Sequence, residues 1–200
     1  MFYSGSVFSQ IDISAGMGIN FFNASSLKDY INYNYNFNGN ELGSVNTSVE
    51  FFGQVDFSVS ENYDIGFEYA YMLYSYNTAA LFFNYELSTV MHKPSVVAYR
   101  VLEGEGYKIK FGAGAGPRFA VWEESIYTTN KYTAAGVGFL LKAQGLTLLS
   151  DNVYANIGMD LRYDMPGKFD ESDNNPFISD TDFNSLIFGI KLGVSYFFEL

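Results

Sequence analysis

The stretch QIDISAGMGINF, residues 10–21, decides the fold. Every second residue from Ile11 to Phe21 is apolar, and the residues between them are polar or glycine. This period of two is that of a β-strand with one apolar face and one polar face. The stretch therefore predicts a strand that separates an apolar environment from a polar one.

The same alternation recurs along the chain, with turn residues between the segments. It predicts seven strands, over about residues 9–21, 47–59, 63–76, 107–121, 132–143, 153–163 and 184–198. A further strand, the fourth in chain order, is harder to place because Leu81 to Met91 alternate poorly. Its safest part is residues 95–102, and we expect Pro94 at a strand entry or at a bulge, since proline cannot donate to a sheet ladder.

The connections between these eight strands alternate in length. Residues 23–46 and 166–183 form long links, whereas the links after strands two, four and six are shorter on average. Outer-membrane barrels have short turns at one rim, long loops at the other and both termini on the short-turn side. We therefore predict an all-β, eight-stranded, antiparallel up-and-down transmembrane β-barrel, with residues 1–200 as a single domain and an aromatic girdle near each rim.

Composition narrows the function classes. The 200 residues are 48% hydrophobic and 19% aromatic, and the net charge of −11 disfavours binding to nucleic acid. Cysteine is absent, which removes disulfides, thiolate metal sites and cysteine nucleophiles. No apolar run approaches the 18 or so residues of a membrane-spanning helix. The first basic residue is Lys28, so a secretory signal is expected to be either already removed or absent.

Alternation alone does not exclude a soluble, lipocalin-like barrel. Such a barrel has the same pattern, but its apolar face points inward and its polar face outward. The polar face favours the membrane, since it is rich in glycine, as a narrow and crowded lumen requires. Its glycines include Gly16, Gly18, Gly66, Gly112, Gly114, Gly116, Gly136, Gly138, Gly158, Gly189 and Gly193. If Ile11, Phe51, Phe67, Phe111 and Leu192 lined an interior cavity, the soluble alternative would hold.

The polar face also carries charges of both signs, which predicts ion pairs inside a closed barrel rather than an open pore. We expect a lumen charge network of Asp12, Glu50, Asp56, Glu68, Lys108, Arg118, Asp160, Arg162 and Lys191. Asp64, Lys110 and Lys142 lie on the same face. Arg118 and Arg162 are the expected hubs, because a guanidinium group can satisfy several carboxylates at once.

Two stretches resemble known families. In the last strand every second residue from Leu186 to Leu200 is apolar or aromatic, which resembles the C-terminal signature of outer-membrane barrels, although those usually end in Phe. The stretch from Pro94 to Val101, a short turn, and Tyr107 to Phe119 with its Phe-Gly-Ala-Gly-Ala-Gly run resemble the central hairpin of OmpW-like and OmpX-like small barrels. That resemblance implies a monomeric barrel whose interior or lateral opening takes small hydrophobic compounds.

Three residue groups suggest sites. His92, with Ser95 and Glu103 or Glu105, suggests a Ser-His-acid hydrolase acting on lipid A or phospholipid. Positions 92 and 95 face opposite sides of a regular strand, which favours a rim histidine instead. The acidic residues of loop 166–182 suggest either a Ca²⁺ or Mg²⁺ site or a solvated loop, and we favour the latter. Tyr30, Tyr33 and Tyr35 suggest a loop cap, a contact surface or interfacial aromatics.

These observations favour a non-enzymatic protein of the bacterial outer membrane. Its expected role is structural or that of a narrow conduit for small hydrophobic molecules, with a lipid-modifying hydrolase and a lipocalin-like carrier as alternatives. No cofactor, metal or nucleic acid is expected. The expected partners are outer-membrane lipid and lipopolysaccharide, a small hydrophobic ligand, the barrel assembly machinery through the C-terminal strand, and an envelope protein through the long loops.

Overall fold

A computed structural model describes residues 10–35, 42–80, 83–125, 128–169 and 181–198. These residues form eight strands and one helix. The strands are β1 (Ile11–Asn23), β2 (Asn46–Ser60), β3 (Tyr63–Ala80), β4 (Phe83–Gly104), β5 (Tyr107–Ser125), β6 (Thr129–Ser150), β7 (Val153–Met165) and β8 (Ser185–Phe198), and the helix α1 (Ser25–Tyr35) lies between β1 and β2.

The strands close into one antiparallel ring in chain order, because β1 pairs with both β2 and β8. Following the paired residues once around the ring from Ala135 in β6 returns to β6 at Gly145, ten residues further along. Such a stagger tilts the strands by roughly 40° and leaves an eight-stranded barrel an interior just wide enough for side chains. The predicted fold class is confirmed.

The apolar face of the barrel points outward. Phe51, Phe67, Phe111 and Leu192 are each about half exposed, and the polar residues between them on each strand are buried. The soluble, lipocalin-like alternative is therefore wrong, since it requires these side chains inside. A continuous outward apolar band around a closed barrel is the lipid-facing surface of a transmembrane β-barrel.

The strands have unequal lengths. β1, β2, β7 and β8 have 13 to 15 residues, whereas β3 to β6 have 18 to 22. The pairing of β3 with β2 ends at Leu73 and that of β6 with β7 begins at Val137. The four long strands therefore continue as a sheet beyond the end of the barrel that is opposite the short turns.

Two sequence predictions about the elements are wrong. The first concerns Pro94, which lies inside the 22-residue strand β4 rather than at an entry or a bulge. Pairing of β4 with β5 has the same register on both sides of it, from His92↔Phe119 to Val96↔Ala115. In that register Pro94 lies opposite Pro117. Neither proline has an N–H, so the ladder is interrupted there without a shift.

The second concerns the link of residues 23–46, which contains the helix α1 rather than loop alone. Leu27, Tyr30 and Ile31 are spaced as one helical face and are buried. That face packs into the outer end of the barrel, so tertiary burial rather than intrinsic propensity stabilises this short helix. Among the residues that the structure describes, no helix is long and apolar enough to cross a membrane.

Candidate functional site: the lumen of the barrel

The structure places all nine charges proposed for the network inside the barrel, and each is at most 5% exposed. Asp64, Lys110 and Lys142 lie there too. Three further lumen charges, Lys93, Glu124 and Asp164, were missed, and Glu124 lies three residues past the predicted end of strand five. Lys93 belongs to the part of β4 whose register the sequence left open, and Asp164 follows the predicted end of strand seven by one residue.

A first cluster occupies the end of the lumen near the short turns. Lys110 Nζ lies 2.5 Å from a carboxylate oxygen of Asp12, 2.8 Å from Asp56 and 2.9 Å from Asp64. Lys108 donates to Gln10 Oε1 at 2.8 Å. One ammonium group therefore holds three carboxylates, which come from β1, β2 and β3.

A second cluster lies at the centre of the lumen. Arg162 Nη2 lies 2.5 Å from Glu68 Oε1 and 2.8 Å from Asp160 Oδ2. Lys191 Nζ lies 2.7 Å from Asp160 Oδ2 and 2.5 Å from Glu50 Oε1, so it links these two carboxylates. Charge-assisted hydrogen bonds of this kind are the strong ones, and they tie β7 and β8 to β2 and β3 across the barrel.

The side chain of Gln54 joins the two clusters. Its Nε2 donates to Asp56 Oδ2 at 2.6 Å, and its Oε1 accepts from Lys142 Nζ at 2.6 Å. Lys142 in turn forms an ion pair with Glu68. The hydrogen-bonded chain therefore runs without a break from the short-turn end of the lumen to its centre.

Arg118 extends the network to the interruption between β4 and β5. Its Nε donates to Asp164 Oδ1 at 2.5 Å, and its Nη1 donates to the carbonyl oxygens of Pro94 at 3.1 Å and Pro117 at 2.9 Å. A Cβ at Gly138 would collide with both Arg118 and Asp164, so glycine is needed there for the pair to meet. The guanidinium group thus satisfies carbonyl oxygens where the proline pair interrupts the ladder.

The charges buried in the lumen nearly balance. Among the described residues, eight buried acidic groups (Asp12, Glu50, Asp56, Asp64, Glu68, Glu124, Asp160 and Asp164) face seven buried basic groups (Lys93, Lys108, Lys110, Arg118, Lys142, Arg162 and Lys191). Removal of one partner from such a set leaves a buried charge uncompensated, which is far more costly than the intact pair is stabilising. Nearly all of the chain's net charge of −11 therefore lies outside this set.

Above the network the lumen becomes apolar and aromatic. Trp122 is fully buried and makes edge contacts with Tyr30 at 5.5 Å and with Phe169 at 4.8 Å between ring centroids. Tyr35 stacks on Tyr85 at 3.7 Å. The alternation rule assigns polar residues to the lumen, so it did not predict this core. The sequence signal for it was the aromatic residues at inward positions near the outer ends of the long strands, such as Tyr85 and Trp122.

The helix α1 closes the outer end over this core. Tyr30 OH donates to Glu124 Oε1 at 2.8 Å. Burial, together with its contacts to Tyr35 and Glu124, raises the pKa of Tyr30 far above its usual range, so the hydroxyl remains a donor. Burial also raises the pKa of Tyr35 to about 12. Tyr33, by contrast, is 88% exposed, so of the three tyrosines two act as a cap and one lies on the surface.

The residues suggested for a hydrolase are not brought together. The Nδ1 atom of His92 lies 2.5 Å from Tyr69 OH on the outer face, whereas Ser95 is buried in the lumen. Glu103 is eleven residues further along the strand than His92, a separation of about 36 Å at the usual rise per residue. The acidic residues of loop 166–182, apart from Asp182, lie outside the described residues. In the described part of the chain no group of three or more His, Asp or Glu side chains could hold a metal ion.

Three solved structures share this fold. The neisserial surface protein A (NspA) aligns with a TM-score of 0.56 at 12% identity, over 93% of this chain and 96% of NspA. Ail, the attachment invasion locus protein of Yersinia pestis, aligns with 0.54 at 11% identity, over 96% and 100%. The outer-membrane protease OmpT of Escherichia coli aligns with 0.51 at 9% identity, over 99% of each chain. No protein-family model matches the sequence, and no curated protein matches it either.

The closed ring of eight strands, the outward apolar band and this shared fold define a small outer-membrane β-barrel, located in the bacterial outer membrane. At these identities the likeness shows the fold alone, and that fold is the one of small outer-membrane β-barrels. One of these proteins, OmpT, is a protease, so the fold by itself does not decide whether a chain is an enzyme.

Proposed function

We propose that this protein is a closed, non-enzymatic outer-membrane barrel with a structural role, and that it forms no open pore. The observation that supports this proposal is the double closure of the lumen. Paired charges fill it from Lys110 to Arg118, and the aromatic core with α1 covers the outer end. A barrel of eight strands has space for little besides its own side chains.

We further propose that residues 1–200 act as one domain and that the last strand contacts the barrel assembly machinery.

Recording from single molecules in planar bilayers tests this proposal. The parent protein is expected to show no steady conductance. Arg118→Ala and Glu68→Ala each remove a lumen partner, so they are expected to raise conductance or to lower thermal stability. Lys131→Ala, which removes an exposed ion pair with Glu123, is the matched control and should behave as the parent does. A parent that conducts strongly, with both lumen variants unchanged, would show a water-filled pore and contradict the proposal.

A second candidate is a lateral path for small apolar molecules, which the interruption at Pro94 and Pro117 favours. Three consecutive pairs of the β4–β5 ladder are missing there, and Arg118 bonds to both proline carbonyls. Its test uses a cysteine at Ser95, the buried residue next to Pro94. Reaction of the folded Ser95→Cys variant with a lipid-soluble, uncharged thiol reagent would support a lateral path. The absence of reaction would exclude this second candidate.

A further inference from the structure

The sheet formed by β3, β4 and β5 changes from apolar to polar within one row of outward side chains. Leu73, Val90 and Val121 lie side by side in the register and form the last apolar row. The next outward row consists of Ser75, Ser88 and Glu123, and the row after it of Asn77, Glu86 and Ser125. The lipid-facing surface therefore ends at the first of these rows and continues directly into a polar one.

The two polar rows line a groove of about 660 Å³, together with Tyr76, Leu87 and Thr129. Successive rows on one face are about 7 Å apart along a strand. The headgroup region on each side of a bilayer is roughly 5–7 Å thick. The first polar row thus lies at the level of the lipid headgroups, and the second lies just above them. Because six of the nine lining residues belong to these two outward rows, the groove lies on the outer side of the sheet and continues the surface that lipid covers.

The chemistry of the lining selects among the molecules found at that level. It offers the hydroxyl groups of four Ser and Thr residues, one amide and two carboxylates, and none of the nine lining residues is basic. Hydroxyl, amide and carboxylate groups hydrogen-bond with sugar hydroxyls, whereas phosphates prefer Arg and Lys. The nearest basic group on this face, Lys131, is paired with Glu123 at 3.3 Å. The lining therefore suits a saccharide better than a phosphate.

From these observations we infer that this groove binds the core sugars of an outer-leaflet glycolipid whose acyl chains lie on the apolar rows below it. The inference rests on the outer-membrane location and not on whether the lumen is closed. It names a specific site on one side of the barrel, where the long strands leave the membrane. Glycolipid at this site would extend the lipid contact of β3, β4 and β5 beyond the hydrocarbon region.

Native mass spectrometry of the detergent-purified full chain tests this site with three probes: rough lipopolysaccharide with core sugars, lipid A without them, and phosphatidylglycerol. We expect selective retention of the rough lipopolysaccharide. The double variant Ser75→Val with Ser88→Val removes both serine hydroxyls of the first polar row. It should weaken that retention about tenfold, because the hydrogen bonds from these hydroxyls to the sugars are lost. Both changes suit an exposed strand. Thr47→Val, an exposed outward hydroxyl on β2 next to Val49, is the matched control and should retain it fully.

Several outcomes would overturn the inference. They are equal retention of lipid A and rough lipopolysaccharide, equal retention by the double variant and the parent, and loss of retention by the parent on removal of divalent cations. The last result would assign the groove to a cation-bridged phosphate. If the double variant fails to fold, as judged by circular dichroism, Asn77→Val in the second row provides the same comparison. Channel recordings do not enter this test, so an open pore would leave it intact.

Discussion

Replacement of Arg162 by alanine is expected to lower the free energy of unfolding by about 3–5 kcal/mol. The guanidinium group is fully buried and holds Glu68 and Asp160, with Glu50 at 3.8 Å. Without it these carboxylates face fewer cations in a lumen that solvent cannot easily reach. Denaturant unfolding in detergent micelles measures the effect.

The control for this prediction is Lys131→Ala. Lys131 and Glu123 form an ion pair whose side chains are about half exposed, and such pairs contribute less than about 1 kcal/mol. If Arg162→Ala lowered the free energy of unfolding no more than the control does, the central cluster would be solvated. Paired charges would then not stabilise the lumen.

Replacement of Trp122 by alanine is expected to lower the free energy of unfolding by about 3–5 kcal/mol, as for other large buried aromatic residues. Its indole is fully buried between α1 and the loop that carries Phe169, so the change leaves a large cavity beneath the helix. The same unfolding measurement applies. Limited proteolysis should in addition cleave the α1 segment faster in the variant than in the parent, because the buried face of the helix loses its main contact.

Phe119→Ala is the matched control, because Phe119 lies three residues before Trp122 on the same strand but faces outward and is 47% exposed. Lipid can fill the space that its ring leaves, so a cost of about 1 kcal/mol is expected. Equal costs for the two variants would contradict a packed aromatic core at the outer end.

The faces of the barrel could be predicted from sequence because alternation is a local property. Ile13, Phe51 and Leu192 point outward as their positions in the pattern require. The ends of β4 and β6 could not be predicted in the same way. Their outer parts leave the hydrocarbon core of the membrane, and there polar outward residues such as Ser88 and Lys131 alternate with buried aromatics and reverse the expected pattern.

The members of the charge network could be predicted, but their partners could not. Which charges meet depends on the stagger of the ring, as when Lys110 of β5 reaches Asp12 of β1 across the lumen. Lys93 was missed because Pro94 beside it suggested a strand boundary. The helix α1 was missed because an eleven-residue segment with three buried residues is a weak signal until the core that it covers is known.

The most direct test of the closed lumen uses the absence of native cysteine. Ser95 lies buried at the centre of the lumen, and Ser88 lies exposed on the same strand at the level of the lipid headgroups. The measurement is the rate at which a charged, membrane-impermeant thiol reagent modifies Ser95→Cys in liposomes, with Ser88→Cys as the reactive control. A closed lumen predicts that Ser95→Cys reacts only after unfolding, whereas Ser88→Cys reacts at once. Modification of folded Ser95→Cys at a rate close to that of Ser88→Cys would contradict it.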